Sequence, residues 1–440
     1  MGYFYTLLNE VNMNVLLIGS GGREHAFAWK LSQSPLLSNL FIAPGNPGTS
    51  LFGTNISVSP TDFQSIKREV LANKINLVVV GPEDPLVKGI HDFFVADSEL
   101  KSIPVIGPTK AGAMLEGSKD FSKQFMVKHG IPTAAYQSFK PHDREKAIAF
   151  LNTLEPPYVI KADGLAAGKG VVISSNLEET IAVVDEFFAG KFGEASKTIV
   201  IEEFLKGIEL SVFVLTDGQS YVILPEAKDY KRIGDGDSGP NTGGMGAISP
   251  VPFATPEFLK KVEERIIKPT INGLKAEGID YVGFIFIGLM NVASEPFVIE
   301  YNARMGDPET QVVLPRLKTD FLKLLQLASQ KRLQEIQVEF YSTWAAAVIL
   351  ASGGYPNDFE KGLEVIIPQA AKNSLLFHAG TTKLTHGPII TSGGRVFASV
   401  GLGLTLEDAL KMAYKAARAV DFKDKYYRND IGKDLLTYFS

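Results

Sequence analysis

The 440-residue chain contains no cysteine, which excludes disulfides and thiolate metal centres and fits a reducing compartment without proving one. Histidine is scarce too. His25, His91, His129, His142, His378 and His386 show no HxH or HExxH spacing, which removes the common zinc patterns. No apolar run approaches the roughly 20 residues that a membrane-spanning helix needs, and no GxSxG elbow marks a serine hydrolase. Lys and Arg number 44 against 49 Asp and Glu, a net charge of -5 that leaves no basic footprint for nucleic acid. The opening MGYFYTLLNEVNMNVLLIGS lacks the basic n-region and cleavage site of a signal peptide. Met13 stands directly before the first apolar strand, so residues 1–12 are expected to be an extension.

With 45% hydrophobic and 21% charged residues, the composition is that of an ordinary globular protein, long enough for two to four domains. From Asn14 onward short β-rich runs (VLLIG, LFIAPG, LVVVGPE, PVIG) alternate with helical stretches at 24–32 and 62–73. That rhythm predicts a doubly wound parallel sheet. It changes near Lys119, where the helix SKDFSKQFMVKHG stops at Gly130 with Pro132 behind it. A β, loop, β, α, β run to about Leu205 follows and predicts a small lobe. Two long hairpins come next, LSVFVLTDG with YVILPEA and GFIFIGLM with PFVIEYN, and these predict antiparallel α+β structure. From about Trp344, strands and one amphipathic helix form a third module.

KADGLAAGKGVVIS, at 161–174, is rich in glycine but is not a P-loop. Gly164 and Gly168 enclose too few residues, Lys169 is followed by Gly170, and a strand rather than a helix comes after. It reads as a glycine hairpin whose N–H groups are able to cup an anion, or as an ordinary flexible turn. GSGGREH, at 19–25, joins a strand to a helix, a position that suits an anion. Glu24 occupies the place of the third glycine in a dinucleotide fingerprint, and the second strand ends in Ala43 and Pro44 without an acid for a ribose, which argues against NAD. Arg23 instead suits a phosphate monoester. The polar strand ends PGN, with Asn46, and GPED, with Glu83, are further ligand positions or plain βα turns. EEFLKGIE, at 202–209, is compatible with a solvated strand end or with an adenosine site.

VIEYNARMGDPETQ, at 298–311, is the densest stretch. Glu300 and Asn302 lie two apart in a strand and therefore share a face. A carboxylate and an amide oxygen so placed suit Mg²⁺, which accepts few protein ligands. Arg304 follows them, and Asp307, Pro308 and Glu309 then open a helix. The polar, glycine-heavy stretch 229–247 is expected to be a lid or to be disordered, with Lys231 and Arg232 available to clamp a phosphate.

Together GGREHAFAWKL, APGNPGT, GPEDPLV, LEGSK, HGIPTA, KADGLAAGKGVV, GPNTGGMGA, YNARMGDPETQ, FHAGT and TSGGRV resemble, in number and order, the glycinamide ribonucleotide synthetase family of the ATP-grasp superfamily, from Met13 to the C-terminus. The resemblance implies an N-terminal substrate-binding α/β domain at 13–115, an ATP-grasp domain at 116–340 with a mobile central lobe at 131–205, and a C-terminal domain at 341–440. It implies a cytoplasmic ligase, a monomer or weak homo-oligomer, acting on ATP, glycine and 5-phosphoribosylamine with Mg²⁺ or Mn²⁺. Lys119, Lys161, Gly164, Gly168, Lys169, Gly170, Glu202, Leu205 and Glu209 would bind ATP, and Glu300 and Asn302 the metal. Gly22, Arg23, Glu24, Asn46, Glu83, Asp307 and Pro308 would bind substrate, with Arg304, Asp229 and Lys231 at the reacting groups. Two departures stand out. Tyr230, in AKDYKR, replaces a histidine found in many relatives, and FIFIGLM offers no third metal carboxylate. Another ATP-grasp ligase and a non-catalytic metabolite sensor are the rival readings. GGREH and GDPETQ disfavour the first, and the joint presence of Glu300, Asn302 and Arg304 disfavours the second.

Overall fold

In the computed structural model, residues 12–165, 170–372 and 374–439 are described. Gly168, Lys169 and nearly all of the expected N-terminal extension lie outside them. The first unit is a five-stranded parallel sheet in the order Thr54–Asn55, Leu37–Pro44, Met13–Gly19, Leu77–Val80, Val105–Ile106. Its interior strand Leu77–Val80 is LVVV with all four residues buried, as expected of a sheet covered on both faces. The helix Phe63–Ala72 starts where Asp62 accepts the Ser65 N–H at 3.0 Å.

The small lobe forms around a four-stranded antiparallel sheet, in the order Tyr136–Phe139, Ile199–Glu202, Tyr158–Ala162, Val171–Ser174. Phe139, Leu151, Val184, Phe187, Ile199 and Ile201 give it an apolar core of its own. The strands on either side of the glycine stretch pair as a hairpin, Lys161 opposite Val171.

An eight-stranded antiparallel sheet runs through the rest of the molecule: Glu295–Asn302, Gly283–Val292, Ile208–Thr216, Tyr221–Asp229, Gly246–Ser249, Trp344–Ala351, Arg395–Gly403, Leu375–His378. The C-terminal strands thus continue the central sheet through the pairing of Gly246–Ser249 with Trp344–Ala351. That junction needs glycine at 246, because a Cβ there would lie 2.7 Å from Ile431 Cδ1 and 2.8 Å from the Ala347 carbonyl oxygen.

The stretch 229–247, expected to be a lid or disordered, is an ordered segment. It folds as a hairpin of Arg232–Gly234 with Ser238–Asn241, docked on the C-terminal segment. Buried Arg428 is the reason. Its guanidinium donates to Asp237 at 2.7 Å, to Asp430 at 2.7 Å and to the Arg232 carbonyl at 3.1 Å, while Asn429 N–H reaches Asp235 at 2.9 Å. Among the described residues no helix is long and apolar enough to cross a membrane.

Candidate active site

Between the small lobe and the large sheet lies a cavity of about 1070 Å³. Of the sequence-predicted residues, Arg23, Glu83, Lys119, Lys161, Gly170, Glu202, Leu205, Glu209, Asp229, Lys231, Glu300, Asn302, Arg304 and Asp307 all line it. Asn46 lines a neighbouring cleft that shares Asp307 and Arg395 with the first. Gly22, Glu24, Gly164 and Pro308 stand behind these walls. Gly22 has no room for a side chain, since a Cβ would meet Gln311 Nε2 at 2.5 Å, and a Cβ on Gly244 would meet Pro308 Cδ at the same distance.

The strand Glu295–Asn302 positions the proposed metal ligands. Glu300 pairs with Gly288 and Val298 with Leu289, so Ile299 is a bulge with no ladder partner. Its freed carbonyl accepts Lys161 Nζ at 3.3 Å. Lys161 also lies 2.9 Å from Glu202, and Lys123 lies 2.9 Å from the same carboxylate. Lys119 Nζ donates to the Gly164 carbonyl at 3.2 Å, and Lys231 Nζ to Glu209 at 2.6 Å. Asp163 ties the hairpin to the helix Lys119–Lys128, accepting Ser118 Oγ and Asp120 N–H, each at 2.8 Å.

Charge converges on Glu300. Burial pushes its carboxyl up, but Lys231, Lys161, Lys119 and Arg304 around it hold it below the usual range. Nearby acids go the other way. Burial first and Asp229 second push Glu309 up to about 8, and burial raises Asp229 against the pull of Lys231, with Glu209 and Glu300 adding to the rise. The carboxylate of Glu300, held below the usual range by the surrounding cations, and the amide oxygen of Asn302 are both hard oxygen donors. Among the described residues no three His, Cys, Asp or Glu converge to hold a metal by themselves. A carboxylate and an amide oxygen therefore fit Mg²⁺ or Mn²⁺, with phosphate oxygens and water completing the shell.

At the substrate end, Arg304 meets Glu116 at 2.7 Å and Glu83 at 3.3 Å. Arg23 bonds Glu24 at 2.6 Å and the Met305 carbonyl at 3.1 Å, and its N–H donates to Asp307 at 3.3 Å. Glu24 caps the first turn of the helix Gly22–Leu31 through the Gly21 N–H at 2.6 Å, which explains why an acid occupies the place of a fingerprint glycine. The Asn46 side chain holds loops together, donating to the Ser20 carbonyl at 2.8 Å and the His378 carbonyl at 3.0 Å and accepting the Gly48 N–H at 2.8 Å. Tyr230 is buried in the C-terminal core and does not itself line the cavity. Its hydroxyl donates to Asp434 at 2.6 Å, and Lys228 Nζ sits 3.6 Å from its ring centroid.

Sequence reasoning gave no role in the site to Glu116, Lys123, Glu309, Tyr355 or Arg395. All five line the cavity. Arg395 donates to the Asp307 carbonyl at 2.7 Å and to the Gly243 carbonyl, and Tyr355 accepts the Gly243 N–H at 2.9 Å. Glu116 stands in LEGSK and Arg395 in TSGGRV, but neither string carries a spacing that names a partner.

Residues 13–116, 117–310 and 345–434 match, in turn, the N domain, the ATP-grasp (A) domain and the C domain of phosphoribosylglycinamide synthetase. The chain belongs to the phosphoribosylglycinamide synthetase family. Within it, the phosphoribosylamine–glycine ligase of Chlorobaculum tepidum is 46% identical over 432 residues, 96% of this chain and 100% of the relative. A bifunctional purine biosynthetic protein of Pichia angusta is 46% identical over 427 residues, 95% of this chain and 53% of that protein, so the chain spans about half its length. The crystal structure of phosphoribosylamine–glycine ligase from Thermotoga maritima matches with a TM-score of 0.82 at 37% identity, covering 95% of this chain and 100% of that one. Outside the family, the biotin carboxylase domain of the Hydrogenobacter thermophilus 2-oxoglutarate carboxylase, solved with MgADP and bicarbonate, matches with a TM-score of 0.70 at 18% identity over 97% of this chain and 94% of that one, a likeness of fold alone.

Proposed function

We infer that the chain is an ATP-dependent carbon–nitrogen ligase that joins glycine to 5-phosphoribosylamine through glycyl phosphate, giving glycinamide ribonucleotide, ADP and phosphate for purine synthesis. Beyond family membership, one observation supports this most: a single cavity is lined by the cations Lys119, Lys161 and Lys231, the oxygen donors Glu300 and Asn302, and Arg304.

The roles divide among these residues. Leu205 and the strand end at Glu202 border adenine, and Glu209 meets the ribose. Lys161, Lys119 and the hairpin with Gly164, Gly168, Lys169 and Gly170 meet the phosphates. Glu300 and Asn302 would hold Mg²⁺ or Mn²⁺, which when bound would supply positive charge to neutralise the transferred phosphate. Glycine lies between Asp229, Lys231 and Arg304. The phosphoribosylamine lies toward Gly22, Arg23, Glu24, Asn46, Glu83, Asp307 and Pro308, which either touch it or shape the loops around it.

A carboxylate is a poor electrophile and must be activated. A glycine oxygen attacks the terminal phosphorus of ATP, and ADP leaves. The amine of phosphoribosylamine then attacks the carbonyl carbon, phosphate departs, and the amine loses a proton. The side chains contribute by positioning and by fixed charge. Arg304 offsets the negative charge on the reacting carboxylate, and Lys231 that on the phosphate. Three domains at 13–115, 116–340 and 341–440, a mobile lobe at 131–205, a cytoplasmic location and a monomeric or weakly associating state complete the proposal.

Glycine labelled with heavy oxygen in its carboxylate tests the central step. One labelled oxygen should appear in the inorganic phosphate. Unlabelled phosphate would sink the mechanism even if the product were correct.

A further inference from the structure

We propose that Glu116 is a positioning residue for Arg304, fixing the guanidinium that receives the carboxylate of the amino-acid substrate. The proposal rests on the reading above that Arg304 meets that carboxylate. Glu116 lies in the last turn of the helix Lys110–Gly117, and neither of its oxygens bonds to a residue assigned to the nucleotide or the metal. Its two oxygens are divided between a side chain and the backbone beside it. Oε1 lies 2.7 Å from Arg304 Nη2, and Oε2 accepts the Ala303 N–H at 2.8 Å. One carboxylate thus holds both the guanidinium and the chain where it leaves the strand Glu295–Asn302.

A second acid touches the same group. Glu83 approaches Arg304 Nε at 3.3 Å, a contact too poorly aligned to satisfy the buried Nε–H as a hydrogen bond. The two acids differ in setting. The Glu83 side chain is 35% exposed, and that of Glu116 only 5%. Two carboxylates on one guanidinium would repel an incoming third, so one must yield when substrate binds. Glu83 can turn to water, whereas Glu116 has no solvent to turn to and would strand the Ala303 N–H. Glu116 is therefore the permanent partner and Glu83 the exchangeable one. The same turn also leads through Ser118, bonded to Asp163 of the nucleotide hairpin, so Glu116 places Arg304 relative to the phosphate side of the cleft.

Glu116→Gln puts an amide donor against either Arg304 Nη2 or the Ala303 N–H. The apparent KM for glycine should rise about tenfold or more while the affinity for ATP stays within about twofold. Glu116→Asp, which keeps the charge, should recover part of the loss, and it carries the test if the glutamine variant does not fold. In Arg304→Ala, adding Glu116→Gln should cost little more, because the residue acts through the arginine. Equal losses for glycine and ATP, or losses that multiply in the double variant, would show a merely structural role and overturn the proposal. If Arg304→Ala alone leaves the kcat/KM for glycine unchanged, the placement of glycine at Arg304 fails first, and the role of Glu116 falls with it.

Discussion

Lys161 and Glu202 are diagonal neighbours on one face of the small lobe's sheet, with 2.9 Å between ammonium and carboxylate. In the antiparallel register Lys161 stands opposite Val200 and Glu202 opposite Val159, so pleating carries both side chains to the cavity wall. Lys123 adds a second ammonium to the same carboxylate.

Glu202→Gln would leave two buried ammonium groups without their counterion, and breaking a buried pair in this way costs about 3–5 kcal/mol. The ligand-free variant should melt several degrees lower than the parent. ATP should restore more of the melting temperature than it adds to the parent, because its phosphates replace the missing charge. An unchanged melting temperature would show that Glu202 is not the counterion of Lys161.

Arg428 holds the hairpin that carries Asp229 and Lys231 at its root, through Asp237 and the Arg232 carbonyl. Arg428→Ala should release it. Hydrogen exchange should quicken at 233–241, and kcat should fall with the protein still folded. Exchange unchanged in that segment would mean that the dock on the C-terminal segment does not hold the hairpin.

His25 and His378 supply a pH dependence. The His378 N–H donates to His25 Nδ1 at 2.7 Å, which requires that nitrogen to be unprotonated. Burial, and then His378, lowers His25 well below 6.5, and burial lowers His378 to about 4. Above pH 6.5 both are neutral whether folded or not, and they contribute no pH slope. Below it the unfolded chain takes up protons that the folded one refuses, so stability falls with pH, by up to about 1.4 kcal/mol per unit for each histidine. Glu116, raised to about 7, and Glu309, raised to about 8, act in the opposite sense over the same window, since the folded state holds their protons. The test is therefore the difference between parent and variant. In His378→Asn, urea unfolding between pH 6.5 and 5 should show a slope reduced by about one proton. An unaltered slope would contradict the buried neutral pair.

Glu300→Gln should remain folded by circular dichroism yet need about tenfold more Mg²⁺ for its half-maximal rate, with kcat down by about a hundredfold. Near-parental turnover at limiting Mg²⁺ would reject Glu300 as a metal ligand.

Much of this molecule is local and therefore legible in its sequence. Apolar β-rich runs on either side of 163–170 predict the paired strands that form there, and a strand period of two puts Glu300 and Asn302 on one face before any neighbour is known. The same alternation separates Asp229 from Tyr230. Which side of that strand faces the cavity depends on packing: Tyr230 lies in the C-terminal core because Ile248, Val348 and Ile431 assemble there from distant segments. Glu116 with Arg304, Arg395 with Asp307, and Arg428 with Asp237 are pairs between segments far apart in the chain. No spacing encodes such pairs, because a charged side chain has many possible partners until the fold removes water from around one of them. The stretch 229–247 shows the limit most directly. Its glycines and polar residues predict a lid or disorder, and a buried arginine nearly two hundred residues away folds it against the C-terminal segment.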